Sequence, residues 1–156
     1  EQIADSNGLS EFWNIVTFLF ENKRIKEHHD FIISKDISIK VVGEKRKEIV
    51  IENQTRDDIL YLRLKSVYQH YNKEATTREG VDVIGQTTLR HYFKSRPYFL
   101  GLVKGKYFGK AGSQSCYAFN YSKMASKELV TLIELSDMDQ NKNKIKSQES
   151  NDDLPY

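Results

Sequence analysis

A chain of 156 residues, 38% of them hydrophobic and 12% aromatic, is long enough to bury a real core and suits one domain. A lone cysteine, Cys116, excludes an intrachain disulfide and fits a reducing, cytoplasmic compartment; no apolar run nears the roughly 20 residues that cross a bilayer, and no signal-peptide pattern is visible. The net charge of +2 hides a segregation: Val83 to Lys127 holds eight Lys and Arg and no Asp or Glu, leaving 16 basic against 22 acidic residues elsewhere, which speaks for a polyanionic partner. The chain opens at Glu1 without a methionine, so a piece of a longer protein is expected.

Ser10 reads as the N-cap of a helix over about 11–23, with Phe12, Trp13, Ile15, Val16, Leu19 and Phe20 as its apolar face. Three short strands follow, at Phe31–Ser34, Ile37–Val42 and Glu48–Glu52, with Gly43-Glu44 turning between the last two. They predict a small antiparallel sheet with one wet face. Thr55 then caps a long helix to about Glu74, on the stripe Leu60, Leu64, Val67, Tyr68 and Tyr71. Residues 75–85 form a connection in which Val81, Val83 and Ile84 make a short strand or an anchored loop.

The acid-free segment opens with a helix at 86–96, stopped by Pro97, and continues as a strand from Tyr98 to Lys106. A loose Gly/Lys tip follows (Gly105, Lys106, Gly109, Lys110, Gly112), then a return strand from Ser115 to Tyr121. Helix, then hairpin with a basic tip, is the second half of a winged helix-turn-helix. Leu89, Tyr92, Phe93, Val103 and Phe119 are expected to be buried together. Arg90 and Lys94, four apart, share a helix face, with Thr87 and Thr88 at the helix N-terminus to hold phosphates or reach bases. Arg96 closes the helix, and Lys104, Lys106 and Lys110 ride on the wing. Ser126 caps a last helix with Leu129, Val130, Leu132, Ile133 and Leu135 on its core face, and residues 136–156 form a polar tail.

Catalytic patterns are missing. Gly101 to Lys106 is one residue short of a P-loop, and Tyr107 stands where the magnesium-binding hydroxyl belongs. His28, His29, His70 and His91 show no metal-ligand spacing, and Cys116 reads as a small buried hydrophobe. No enzyme, cofactor or metal is expected.

Asp58-Ile-Leu-Tyr-Leu62, Val67-Tyr-Gln-His-Tyr71, Thr88 to Lys94, Tyr98-Phe-Leu-Gly101 and Ser115 to Tyr121 together resemble the C-terminal region of Bacteroidetes mobile-element proteins of the virulence-associated E type. Those are primase/helicase-like proteins with a P-loop ATPase core. The resemblance covers about residues 55–125 and implies an appendage behind an upstream ATPase region, whose catalytic residues have no counterparts here. The expected fold is α+β over 1–135, a winged-helix-like unit at about 55–125 joined by an N-terminal helix and small sheet. The expected function is non-catalytic nucleic-acid binding, DNA first. The alternative is a protein-interaction or oligomerisation module that docks on the parent ATPase.

Overall fold

The computed structural model describes residues 2–128 and 130–133. The structure is α+β. Its chain runs α1 (Gln2–Glu21), β1 (Phe31–Ser34), β2 (Ser38–Val42), β3 (Glu48–Glu52), β4 (Ile59–Leu62), α2 (Leu64–Ala75), α3 (Gln86–Lys94), β5 (Phe99–Tyr107), β6 (Ser113–Asn120) and α4 (Tyr121–Glu128). Among the described residues, the six strands form one antiparallel sheet in the order β1-β4-β6-β5-β2-β3.

That order forces the sheet to curl. β1 and β2 are consecutive in the chain yet four places apart in the sheet, roughly 19 Å if the sheet were flat. Only residues 35–37 join them, a link that reaches about 14 Å from Ser34 to Ser38 when fully stretched. The ends of the sheet must therefore approach each other. The link from β3 back to β4, residues 53–58, crosses the same opening, and Asn53 staples the two links together. Its amide Nδ2 donates to the Asp36 carbonyl (2.8 Å) and the Asp57 carbonyl (2.9 Å), and its backbone N–H donates to the Ile37 carbonyl (2.7 Å).

Curling gives the sheet two cores. The outer face packs on the helices through Phe31, Leu60, Leu62 and Phe119, against Phe12, Trp13, Val16 and Leu19 of α1, Val67 and Tyr71 of α2, and Leu89 and Phe93 of α3. Phe93 is the hub: its ring lies 4.9 Å from Phe119, 5.7 Å from Trp13 and 5.8 Å from Phe12. Ile32, Ile39, Val41, Ile59, Tyr61, Val103, Phe108, Cys116 and Ala118 fill the inside of the curl. Gly101 lets β5 meet β2. Its φ is +142°, and a Cβ there would stand 2.9 Å from the Val41 Cβ.

The fold departs from the sequence reading in several places. The first helix begins at Gln2, so Ser10 lies inside it; there its hydroxyl donates to Glu128 Oε1 (3.3 Å). The long helix expected from Thr55 is a strand, β4, followed by α2. All four residues of β4 are buried, because Leu60 and Leu62 enter the helix-side core while Ile59 and Tyr61 enter the curl. A helix would offer only one side, so a run that is apolar at every position does better as a central strand. Thr55 caps nothing; its hydroxyl donates to Asp57 Oδ2 (2.7 Å). The expected antiparallel sheet is present and extends further: β2 and β3 pair as expected, β1 pairs with β4, and all join the hairpin's sheet.

Residues 81–85 are an anchored loop. The Tyr68 hydroxyl donates to the Ile84 carbonyl (3.0 Å), and the Ile84 N–H donates to the Tyr71 hydroxyl (2.9 Å). The last helix comes earlier than expected, at 121–128 with Ser126 inside it. Val130 and Leu132 are buried beyond its end, where the Tyr121 hydroxyl donates to the Val130 carbonyl (3.2 Å) and accepts from the Leu132 N–H (3.0 Å). Leu129, Leu135 and the expected polar tail 136–156 lie outside the described residues.

Candidate nucleic-acid interface

Helix α3 follows the anchored loop and is short because Pro97 ends it. Leu89 and Phe93 plant it on the sheet, with the Phe93 ring 6.5 Å from Phe99 and 6.1 Å from Tyr117. That leaves Thr87, Thr88, His91, Lys94 and Ser95 exposed on the outer side. Gly85 leads into the helix with extended backbone and no side-chain cap, so the N–H groups of the first turn have no side-chain acceptor. Arg90 and Arg96 are half-buried, and each buries its Nε without a hydrogen-bond partner.

The hairpin β5–β6 carries the remaining cations. Lys104 is exposed, in the irregular stretch where Val103 pairs with Cys116 and Lys106 with Gln114. Lys106 leaves the expected basic wing. Its ammonium lies 3.4 Å from Asp36 Oδ2 and 4.2 Å from the centre of the Tyr61 ring, so it serves the inside of the curl. Burial works against the Asp36 charge, but the hydrogen bond from the Tyr61 hydroxyl and the Lys106 ammonium outweigh it and hold the carboxyl below its ordinary value. The reason is the register shift between Val103 and Lys106, which sets Lys106 opposite Gln114 and so on the same face as Val103 and Cys116, not on the helix face. Val103 is likewise on the inner face, apart from Leu89, Phe93 and Phe119.

The tip is a closed turn. Phe108 is fully buried beneath the Arg63 guanidinium (5.9 Å from the ring centre) and donates its N–H to the Gly112 carbonyl (2.8 Å). The Gln114 amide donates to the Ala111 carbonyl (2.6 Å). Lys110 is exposed on that turn, about 13 Å or more along the hairpin from Tyr117.

The structure thus groups Thr87, Thr88 and Lys94 on one exposed helix face beside the half-buried Arg90 and Arg96. It places Lys104 and Lys110 along the hairpin and withdraws Lys106. The sequence reading passed over His91, although its spacing of four from Thr87 signals the shared face. It also passed over Tyr107, for which no local pattern announces exposure. Lys123 and Lys127 border a further groove of about 300 Å³ with Pro97, Tyr98 and Ser126.

A cavity of about 370 Å³ opens at the mouth of the curl, floored by Ile39, Ile51, Ile59 and Leu100. Its polar rim is occupied with itself: the Asn120 amide donates to Asp57 Oδ2 (2.9 Å), and that hydrogen bond, with the one from Thr55, keeps the Asp57 carboxyl below its ordinary value. Among the described residues no group of three or more His, Cys, Asp or Glu could hold a metal ion, and no helix is long and apolar enough to cross a membrane. Compared with family models, with curated proteins and with solved structures, the chain matches none.

Proposed function

We propose that the chain is a non-catalytic nucleic-acid-binding module, with DNA as the first ligand to try, built on a winged-helix-like unit of β4, α2, α3, β5 and β6. One observation supports this most. Of the eight cations in the acid-free segment, only Lys106 has an ion pair among the described residues. Cations that serve the fold find carboxylates, as Arg24 and Arg78 do at Glu74. Seven without an ion pair among the described residues, of which Arg90 and Lys94 lie on α3 and Arg96 just past its end, are suited to phosphates.

The test is an anisotropy titration of labelled DNA at two salt concentrations. Affinity is expected to fall steeply as salt rises. Replacing Lys94 and Lys104 by Ala should weaken binding to all sequences alike and lower the salt slope by about one unit per lost phosphate contact. Absence of binding at low salt ends this reading. The exposed Ile49 and Val50 of the edge strand β3, with Ile37 in the β1–β2 link, favour the second reading, docking on another protein such as an upstream ATPase region. That reading predicts co-purification with that region and no DNA binding.

A further inference from the structure

Tyr107 is the most exposed large apolar side chain among the described residues, at 72%. Such a ring on a basic hairpin calls for a partner with a flat face. We propose that Tyr107 is a stacking platform for an unpaired nucleobase, so that the ligand is a single strand, or a duplex with a single-stranded end, rather than an unbroken duplex. This rests on the nucleic-acid reading and narrows its substrate class.

The ring is presented by a fixed frame. Tyr107 pairs with Ser113 at the end of the ladder, and the next residue, Phe108, is fully buried in the inner core. The backbone on both sides of the tyrosine is therefore held, and little freedom is lost when a base settles on it. The pleat turns Tyr107 away from Lys106 and the inner core, onto the hairpin face that carries Ser113, Ser115 and Tyr117. At the root of that face Tyr117 meets Phe93 of α3.

Charge favours the same ligand. Lys104 and Lys110 are exposed on either side of Tyr107 in the chain, within the segment that has no carboxylate. The other exposed apolar groups differ: Ile37, Ile49, Val50 and Val83 are aliphatic, and Ile49 and Val50 lie between Glu48 and Glu52, which repel phosphate. Bases inside a duplex have both faces covered by their neighbours, whereas unpaired bases offer a π-face to an aromatic ring.

The 156-residue chain is titrated with three labelled DNAs: a blunt duplex, the same duplex with a single-stranded tail, and the tail strand alone. The tailed duplex should bind about tenfold tighter than the blunt one, within the range base–aromatic stacking supplies. Tyr107→Ala should bring the tailed duplex down to the blunt affinity, and Tyr107→Phe should keep the preference. 2-Aminopurine in the tail should be quenched by the wild type and not by Tyr107→Ala. Equal binding of blunt and tailed duplex, or a preference that survives Tyr107→Ala, overturns the stacking proposal and leaves the nucleic-acid reading standing. Failure of all three DNAs to bind at low salt overturns both.

Discussion

Cys116 shows how position on a strand decides a side chain's chemistry. It faces the inside of the curl beside Ala118, and burial pushes its thiol up to about 12, against a slight opposing pull from the Lys106 ammonium. The thiolate is the reactive form, so a thiol raised this far and shut away from water is inert at neutral pH. An aromatic disulfide reagent should label native protein at least about a hundredfold more slowly than protein unfolded in urea, given the drop in thiolate fraction alone. Equal rates would mean that the inner face of β6 is open to solvent. The sequence made this residue legible, because alternation along Tyr117, Phe119 and their neighbours puts Cys116 on the opposite face. The same alternation applied to Lys106 would have placed it beside Val103, had the irregular pairing in β5 been foreseeable.

Among the elements, the crossing of β2 and β5 depends on one glycine. Gly101→Ala adds a methyl 2.9 Å from the Val41 Cβ at a φ of +142°, a conformation L side chains rarely adopt. The substitution should cost about 1–3 kcal/mol in a urea melt. Gly85→Ala serves as the control: its φ is −68° and a methyl there meets nothing within 4 Å, so stability should hold or rise slightly. The elements that the sequence disclosed are those whose signals are local. The β2–β3 pairing, α3 with its stop at Pro97, and the β5–β6 hairpin are each written in a dozen or so neighbouring residues. β4 was hidden because Leu60 sits at helical spacing from Leu64 and Val67, and only a second core, on the far side of the sheet, makes Ile59 and Tyr61 equally apolar. β1 was placed correctly, but its partner β4 was not legible, since it lies on the far side of a hairpin.

At the scale of the molecule, the curl of the sheet gathers Asp36 from the β1–β2 link, Tyr61 from β4 and Lys106 from β5. Folding lowers the Asp36 carboxyl below its ordinary 3.8. The ionised form is thus the one folding favours, and its contribution is complete above the ordinary Asp range and lost as pH falls through the folded value. Asp36→Asn should cost roughly 1 kcal/mol at pH 7, less than the ~1.5–3 kcal/mol of a charged hydrogen bond because part of the side chain is still wet. The variant and wild type should converge in urea titrations only as pH falls through the lowered folded value, that is, below 3.8. The charge segregation behind the candidate interface was readable from composition alone; which cations the curled sheet would consume was not, because Asp36 lies 70 residues from Lys106. The strand order also bears on how the chain leaves the ribosome. β6, the last of the described strands to be made, sits between β4 and β5, so a nascent chain ending before residue 113 lacks a central strand. The N-terminal half can form two separate pairs on emerging, β1 with β4 and β2 with β3, but only β6 and β5 join them, so the described sheet assembles only once synthesis has passed residue 120.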